Sequence, residues 1–321
     1  MIKKIPYQAR KFPLTYPVAL HGSHRLDVSW VEIVWAAITV GKRDRSVLLA
    51  HGWYSVADLF SRALQIYAYL RSSTSRFEPT DLFKELDPSE KGAGSYALGM
   101  TMAKLFADKL LDTPWLVHVS VAKKTSQHAI KSTSKSKSLP DLIGLNLSNE
   151  WIVVEAKGRS HGFNNEALEN AKKQTSKIRT IDGKVPILRV AAQAYLEPSL
   201  EVVLEDPDEA TRDAVDLDIP NNQMFKAYYK PVENFLRGAV VIQTIAGVQY
   251  RLREDPVTGI TIGLRTDLDK WLVQSVLGGG LTHQPSGTLI SETEGSFRDG
   301  VYVDLGPRWG HMHRMPEERP S

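Results

Sequence analysis

The stretch LPDLIGLNLSNEWIVVEAKGRS, from Leu139 to Ser160, decides the fold of this chain. It holds two apolar runs, 142–147 and 151–154, separated by the short polar break 148–150. Apolar runs of this length around an Asn/Ser break are typical of two antiparallel strands joined by a tight turn. The sequence Glu-Ala-Lys follows the second run at once, so the predicted hairpin carries its charges at one end.

Three charged residues belong to this end of the hairpin. Side chains alternate faces along a strand, so Glu155 and Lys157 point the same way. If the turn takes three residues, Leu147 stands opposite Trp151, and counting back sets Asp141 opposite Lys157. A slip of one residue would turn Asp141 to the other face. Two carboxylates and an ammonium gathered at the end of a buried hairpin are costly unless something binds them.

A divalent cation would bind such a group. Hard oxygen ligands suit Mg²⁺, and Mg²⁺ suits phosphate chemistry. The metal would lower the pKa of a bound water and stabilise the charge that grows on the phosphate oxygens, while Lys157 orients the water or adds positive charge. The residues therefore predict a site for phosphodiester hydrolysis.

The same pattern resembles the PD-(D/E)XK nuclease superfamily, which has the restriction-endonuclease-like fold. Its motif stands here as Pro140-Asp141 and Glu155-Ala156-Lys157. The resemblance implies that Asp141 and Glu155 bind the metal and that the backbone carbonyl of Ala156 assists them. It implies that Lys157 serves the attacking water, and that Mg²⁺ is the cofactor, with Mn²⁺ as a substitute.

The surrounding sequence offers the parts of the superfamily core in their order of helix, strand, hairpin, helix and strand. The predicted elements outside the hairpin are a helix over 94–111, a strand over 115–121, an amphipathic helix over 165–178 and a strand over 187–195. The resemblance covers roughly 90–196, about a third of the chain. It implies an α/β fold with a restriction-endonuclease-like core, a mixed central sheet flanked by helices.

Two further residues are candidates through the same resemblance. Gln174 is predicted on the apolar face of the 165–178 helix with Ala167, Ala171 and Ile178, where a glutamine needs a partner. Many nucleases of this superfamily carry a glutamine near the active site on this helix, which implies an auxiliary role; the alternative is a core glutamine bonded to backbone. Some relatives add a metal-binding glutamate from the first helix. Glu90, four residues before Gly94, is the candidate, and the alternative is that it complements the helix dipole.

A lysine- and serine-rich segment, KKTSQHAIKSTSKSKS over 123–138, leads directly into Asp141. It contains five lysines and no acid: Lys123, Lys124, Lys131, Lys135 and Lys137. Next to a phosphate-cleaving site these lysines are expected to neutralise backbone phosphates of DNA, a contact that is independent of sequence and sensitive to salt. Lys172, Lys173 and Lys177 would extend the surface. The alternative is a solvated loop.

Composition places the chain among soluble globular proteins. It has 321 residues, a net charge of +3 and no cysteine, which excludes disulfides and cysteine-bound zinc. No signal peptide is visible in the first twenty residues, and no apolar run is long enough to span a membrane, so a cytoplasmic protein without a membrane partner is expected. The predicted domains are a helical N-terminal region over 1–85, the nuclease core over 86–205, and an α/β extension over 206–321 with a loosely ordered tail from residue 281. In the first region, helices are predicted over 28–40 and 55–70. In the last, a buried strand over 239–245, a hairpin over 248–264 and a final helix over 267–277 are predicted.

Other chemistries find weaker support. The segment Gly92–Gly94 precedes a helix, but no strand comes before it and no G-K-[ST] follows, which argues against a phosphate-binding loop. The pairs His21 and His24, and His311 and His313, have the spacing of metal ligands but no carboxylate pattern nearby, so surface histidines are expected.

The sequence thus predicts a metal-dependent nuclease acting on DNA, and analogy with nucleases of this fold suggests phage defence or DNA repair. The alternative is a nucleic-acid-binding or structural subunit of a larger complex, which cleaves only with a partner or not at all. The sequence leaves a partner protein and a homo-oligomer open.

Overall fold

A computed structural model describes most of the chain. The described residues are 2–41, 53–73, 75–120, 139–206, 209–276, 295–307 and 309. The chain divides into two compact units, Met1–Tyr228 and Tyr229–Ser321. The predicted boundaries at 85/86 and 205/206 do not coincide with this division, because the N-terminal strands belong to the same sheet as the predicted core.

The first unit contains both helices and strands. Its helices are α1 (Trp30–Thr39), α2 (Trp53–Tyr69), α3 (Asp81–Glu85), α4 (Pro88–Leu111) and α5 (Asn165–Thr175), and α6 (Asn221–Phe235) spans the division between the units. Its strands are β1 (Ile2–Arg10), β2 (Gly22–Ser29), β3 (Leu70–Ser72), β4 (Phe77–Pro79), β5 (Trp115–His118), β6 (Leu142–Leu145), β7 (Trp151–Arg159), β8 (Ile178–Ile181), β9 (Leu188–Tyr195), β10 (Glu201–Glu205) and β11 (Val215–Leu217). The helices predicted over 28–40 and 55–70 are confirmed as α1 and α2.

Among the described residues, one large mixed sheet has the strand order β2-β1-β10-β9-β7-β6-β5. The pairs β1/β10 and β7/β9 are parallel and the remaining neighbours are antiparallel. The prediction of a helical N-terminal region is wrong for β1 and β2, which form one side of this sheet. In β1 the buried side chains Ile5, Tyr7 and Ala9 alternate with more exposed ones, the pattern of a strand.

Helices α4 and α5 cover opposite faces of the sheet. On β7 the side chains of Glu155 and Lys157 face α5, whereas Gly158 faces α4 so closely that a Cβ on it would lie 1.6 Å from the Ser95 carbonyl oxygen. Leu168 of α5 packs with Ala191 and with residues of the next strand. A mixed sheet flanked by helices, as the sequence predicts, is therefore confirmed.

Helix α4 was predicted to begin at Gly94, but in the structure it begins at Pro88. Asp87 is its N-cap, and one carboxylate oxygen accepts the backbone N–H groups of Ser89 at 2.7 Å and Glu90 at 3.1 Å. An acidic cap followed by proline at the first helical position is a strong start signal. Glu90 consequently lies inside the first turn.

The hairpin forms, but its register differs from the predicted one by two residues. Leu145, not Leu147, stands opposite Trp151, and the loop Asn146–Glu150 has five residues instead of three. The Asn146 side chain stabilises this longer loop, since its Oδ1 accepts the Glu150 N–H at 2.8 Å and its Nδ2 donates to the Glu150 carboxylate at 2.9 Å. A shift of two leaves every side chain on its predicted face.

The second unit contains an antiparallel sheet in the order β12 (Val241–Ile245), β13 (Val248–Glu254), β14 (Thr261–Arg265) and β15 (Val301–Asp304), with helix α7 (Thr266–Val276). The predicted hairpin over 248–264 and the final helix are confirmed. The expectation of a buried strand over 239–245 is wrong, because β12 is largely exposed. The loosely ordered tail is also wrong at β15, where Val301 and Val303 are buried.

Within the described ranges, none of the helices combines the length and apolar character that a membrane crossing needs.

Candidate active site

The structure brings Asp141 and Glu155 together through two main-chain hydrogen bonds. The Asp141 N–H donates to Glu155 Oε2 at 2.8 Å, and the Ala156 N–H donates to Asp141 Oδ2 at 3.3 Å. Each carboxylate is therefore held by an amide beside the other acid. The predicted register set Asp141 opposite Lys157. In the structure the two-residue shift places Asp141 beside Glu155 instead.

The strand pairing ends where this site begins. The last β6/β7 pair joins Leu142 to Val154. Before it, the Asp141 N–H bonds to the Glu155 side chain, and Pro140 has no N–H with which to continue the ladder. Residues 155–157 of β7 thus continue past the end of β6. In a strand the N–H and C=O of one residue point to the same neighbour, so the Ala156 carbonyl is directed to the side on which its N–H meets Asp141. The Ala156 carbonyl oxygen is therefore a third candidate metal ligand at the site, beside the two carboxylates.

Lys157 connects the carboxylates to helix α5. Its Nζ donates to Glu155 Oε1 and, at 2.8 Å, to Gln174 Oε1. The Lys157 side chain is 27 % exposed whereas that of Glu155 is 2 % exposed, so the ammonium lies at the open side of the site.

Gln174 lies beside Lys157, on the same side of the sheet as the two acids. The prediction that Ala167, Ala171 and Ile178 share the apolar face of this helix is partly wrong. The buried residues of α5 are Leu168, Ala171 and Thr175, while Ala167 is only half-buried and Ile178 belongs to β8.

Burial makes both acids harder to ionise, and the charge of Asp141 adds to this effect at Glu155. Burial, followed by the charge of Asp141, raises the pKa of Glu155 to about 7, although Lys157 opposes the shift. Burial also raises the pKa of Asp141, again opposed by Lys157. The lysine alone leaves both carboxyl groups short of compensating charge, and a second cation would supply it.

The donor set available to a metal is two carboxylates and a carbonyl. In the part of the chain that the structure describes, no group of three or more His, Cys, Asp or Glu residues is placed to hold a metal ion. Glu90 therefore does not join Asp141 and Glu155; its side chain is exposed in the first turn of α4, where an acid complements the helix dipole. Mg²⁺ is commonly bound through one or two carboxylates, with water and substrate phosphate completing its shell, so the residues present fit it.

The other predicted residues fall into three groups. Lys123, Lys124, Lys131, Lys135, Lys137, His311 and His313 lie outside the described residues. His24 contacts the His21 carbonyl at 2.8 Å, and the pair belongs to no described metal-binding group. Lys172 is a poor candidate for a phosphate contact, because its ammonium is engaged by Glu205 at 2.8 Å and Glu169 at 2.9 Å, whereas Lys173 is exposed and Lys177 half-buried.

Sequence reasoning missed Gln193, which lies opposite Lys157 in the β7/β9 register. Gln193 is fully buried; its Oε1 accepts the Asn164 N–H at 2.7 Å and its Nε2 donates to the Asn164 carbonyl at 2.8 Å. Asn164 is in turn the N-cap of α5 and accepts the Ala167 N–H at 2.8 Å. Gln193 thus fixes the start of the helix that carries Gln174. A glutamine inside the apolar run LRVAAQAY was the available signal.

Comparison of the chain with protein-family models, curated proteins and solved structures gave no match in any of the three.

Proposed function

We propose that this protein is a Mg²⁺-dependent nuclease that hydrolyses phosphodiester bonds of DNA. The observation that carries the proposal is the cluster of Asp141, Glu155 and Lys157, in which a partly buried and a fully buried carboxylate are fixed by main-chain amides next to a partly exposed ammonium. Apart from the short strand β8, which belongs to a separate sheet, the elements follow the order α4, β5, β6, β7, α5, β9. The restriction-endonuclease-like core has the same order of helix, strand, hairpin, helix and strand, which supports a resemblance to PD-(D/E)XK nucleases.

Asp141, Glu155 and the Ala156 carbonyl would hold the metal. The two carboxylates present oxygen ligands of the kind that Mg²⁺ prefers. Burial and the charge of Asp141 raise the pKa of Glu155 to about 7 although Lys157 opposes the shift, and a bound cation would stabilise the ionised form. When bound, Mg²⁺ would acidify a water molecule and neutralise charge on the scissile phosphate.

Lys157 would act from the open side of the site. An ammonium has three donors, and two of them reach Glu155 and Gln174. The third can hold the attacking water or a phosphate oxygen in line for displacement. Gln174 limits the positions of the ammonium, so the donor is already oriented when substrate arrives.

DNA is proposed as the substrate because five lysines precede Asp141 within 123–138, a segment with no acid. Such a concentration of positive charge favours the sugar-phosphate backbone of a nucleic acid and does not select a base sequence.

The test is cleavage of linear, circular and single-stranded DNA, and of RNA, by the purified protein in Mg²⁺ or Mn²⁺. Asp141→Ala and Lys157→Ala are expected to abolish cutting. A matched acid and lysine are available in α3, where Asp81 and Lys84 form an exposed ion pair, and Asp81→Ala and Lys84→Ala are expected to cut like the wild type.

Cutting of DNA that is lost in both site variants and kept in both controls would support the proposal and, through the substrates cut, define the mode. If only RNA is cut, the protein is a ribonuclease and the assignment of DNA as the substrate is wrong. A wild type that binds DNA in a salt-sensitive way but never cuts it would favour the second candidate, a binding subunit of a larger complex.

A further inference from the structure

The sheet face that carries the candidate site continues beyond Lys157. Arg159 is two residues further along β7, about 7 Å away, and its side chain is on the same face. In the β7/β9 register Arg159 stands beside Tyr195, and Tyr195 pairs with Glu201 of β10. The surface therefore runs sideways from the site towards β1 and β2.

Phe163 lies on this surface between β7 and α5, and its side chain is 38 % exposed. Its ring meets Tyr195 edge-on, with 6.2 Å between the centroids, and the Arg10 guanidinium lies 5.3 Å from the Phe163 centroid. Arg10 is oriented by Gln8, whose Oε1 accepts its Nε–H at 2.9 Å. We name Arg10, Phe163, Tyr195 and Arg159 the arginine-aromatic strip.

A groove extends the strip across β10, β1 and β2. Its lining includes Gln8, Ser23, Arg25 and Glu201 together with Tyr195. The Glu201 carboxylate is engaged by the Tyr195 hydroxyl at 2.8 Å. Across the described residues, Arg10, Arg25 and Arg159 take part in no salt bridge, and the Nε of Arg159 is buried without a hydrogen-bond partner. Three guanidinium groups are therefore left to meet an anion.

We propose that the arginine-aromatic strip binds single-stranded nucleic acid, with a base stacked at Phe163 and phosphates at the arginines. The proposal rests on the proposed nuclease function, since it places the strand on the face that holds Asp141 and Glu155. Exposed aromatic rings beside cations are the usual platform for unpaired bases, and stacking accepts any base. A base in a duplex is already stacked and would have to leave its pair, so a single strand fits this surface better.

The experiment measures binding of a fluorescent single-stranded oligothymidylate of about 12 nucleotides, a length within the range of known single-strand sites, to the full chain in EDTA. Without metal no cutting is expected, so binding is read alone. Phe163→Ala, Phe163→Leu and Arg10→Gln are each expected to weaken binding about 10- to 100-fold, the range for losing one stacked base. Phe163→Trp is expected to keep the wild-type affinity, because it keeps a stacking ring.

The controls are an exposed ring and an exposed arginine outside the strip. Tyr96 is 44 % exposed on α4, on the other side of the sheet, and Arg76 is exposed in the turn before β4. Tyr96→Ala and Arg76→Ala are expected to bind like the wild type. Circular dichroism of each variant confirms that the fold is kept.

The outcomes separate this inference from the nuclease proposal. Unchanged single-strand binding in Phe163→Ala and Arg10→Gln would overturn the strip, even if the wild type cuts DNA in Mg²⁺. Tighter binding of a duplex, with the same losses, would overturn the assignment to a single strand. If binding depends on the arginine-aromatic strip but no nucleic acid is cut, the binding proposal is supported and the nuclease proposal is overturned. If the wild type neither binds nor cuts, both proposals are overturned.

Discussion

The main-chain amide of Asp141 donates a 2.8 Å hydrogen bond to the carboxylate of Glu155. The two residues lie next to the last β6/β7 pair, Leu142 and Val154. The amide of Ala156 returns a bond to the Asp141 carboxylate. Because amides of the sheet fix both acids, their separation is set by the backbone before any metal arrives. Because the carboxylates are already in position, binding a metal requires little further ordering of side chains. Their buried charge lowers the stability of the metal-free protein.

The first prediction is that Glu155→Gln stabilises the metal-free protein at alkaline pH. The pKa of Glu155 rises from 4.5 to about 7 on folding, so between these values the folded state holds a proton that the unfolded state has lost. The free energy of unfolding of the wild type therefore falls as pH rises from 4.5 through 7. At pH 8 the variant should be more stable by about 3 kcal/mol, and the gain should vanish near pH 4.

Urea denaturation at a series of pH values measures this difference. Glu166→Gln, which changes an exposed acid in the first turn of α5, is the control and should shift stability by less than about 0.5 kcal/mol. A variant that is less stable than the wild type at pH 8 would contradict the prediction.

The second prediction concerns metal binding. Mg²⁺ at tenfold its dissociation constant should add about 1.4 kcal/mol and raise the melting temperature of the wild type by about 3 °C at pH 8. The rise should shrink at pH 6, because a proton competes with the metal for Glu155, whose pKa is raised to about 7 by burial and by the charge of Asp141. Differential scanning calorimetry measures it. Asp141→Asn should show no rise, and an equal rise in both proteins would place the metal elsewhere.

The third prediction is that Gln174→Ala lowers the cleavage rate about tenfold and leaves Mg²⁺ binding unchanged. The variant removes one of the two bonds that orient the Lys157 ammonium, and contacts of this supporting kind are typically worth 10- to 100-fold. Single-turnover kinetics separate the rate from binding. Asn170→Ala, at an exposed position of the same helix, should cut normally; a full rate in Gln174→Ala would show that Lys157 needs no such support.

The fourth prediction tests the contact between β7 and α4. In Gly158→Ala the added Cβ would lie 1.6 Å from the Ser95 carbonyl oxygen, so helix and strand must separate, at a cost of about 3 kcal/mol. Gly92→Ala is the matched control, because a Cβ there meets nothing within 4 Å and should stabilise α4 by about 1 kcal/mol. Denaturant titration of both variants gives the comparison, and equal stabilities would disprove the close approach.

The fifth prediction concerns the lysines before the site. Replacing Lys123, Lys124, Lys131, Lys135 and Lys137 together with glutamine should weaken DNA binding and make it less sensitive to salt. If all five meet phosphates, the steepness of the fall of log K with log salt should decrease by about 4.5 for duplex DNA. Replacing Lys84 and Lys184, which are exposed elsewhere, should leave the slope unchanged. An unchanged slope in the fivefold variant would mean that the segment is only solvated.

Local periodicity was sufficient to place part of the candidate site. Glu155 and Lys157 share a face because strand side chains alternate, and no tertiary contact is needed to know it. Asp141 reached the same face despite the misjudged loop, since a shift of two residues preserves the face and a shift of one would not. The helix carrying Gln174 followed in the same way from its 3.6-residue period.

Long-range pairing decided the rest. The addition of β1 to the sheet, the bond of Gln193 to Asn164, the approach of Gly158 to Ser95 and the placing of Arg10 over Phe163 all join residues far apart in the chain. No local pattern encodes such contacts, because which surfaces meet depends on how all the elements pack at once. The sequence alone thus determined the three charges and the common face of Glu155 and Lys157. The tertiary structure decided the register that sets Asp141 beside them, the groups that hold all three and the surface that lies next to them.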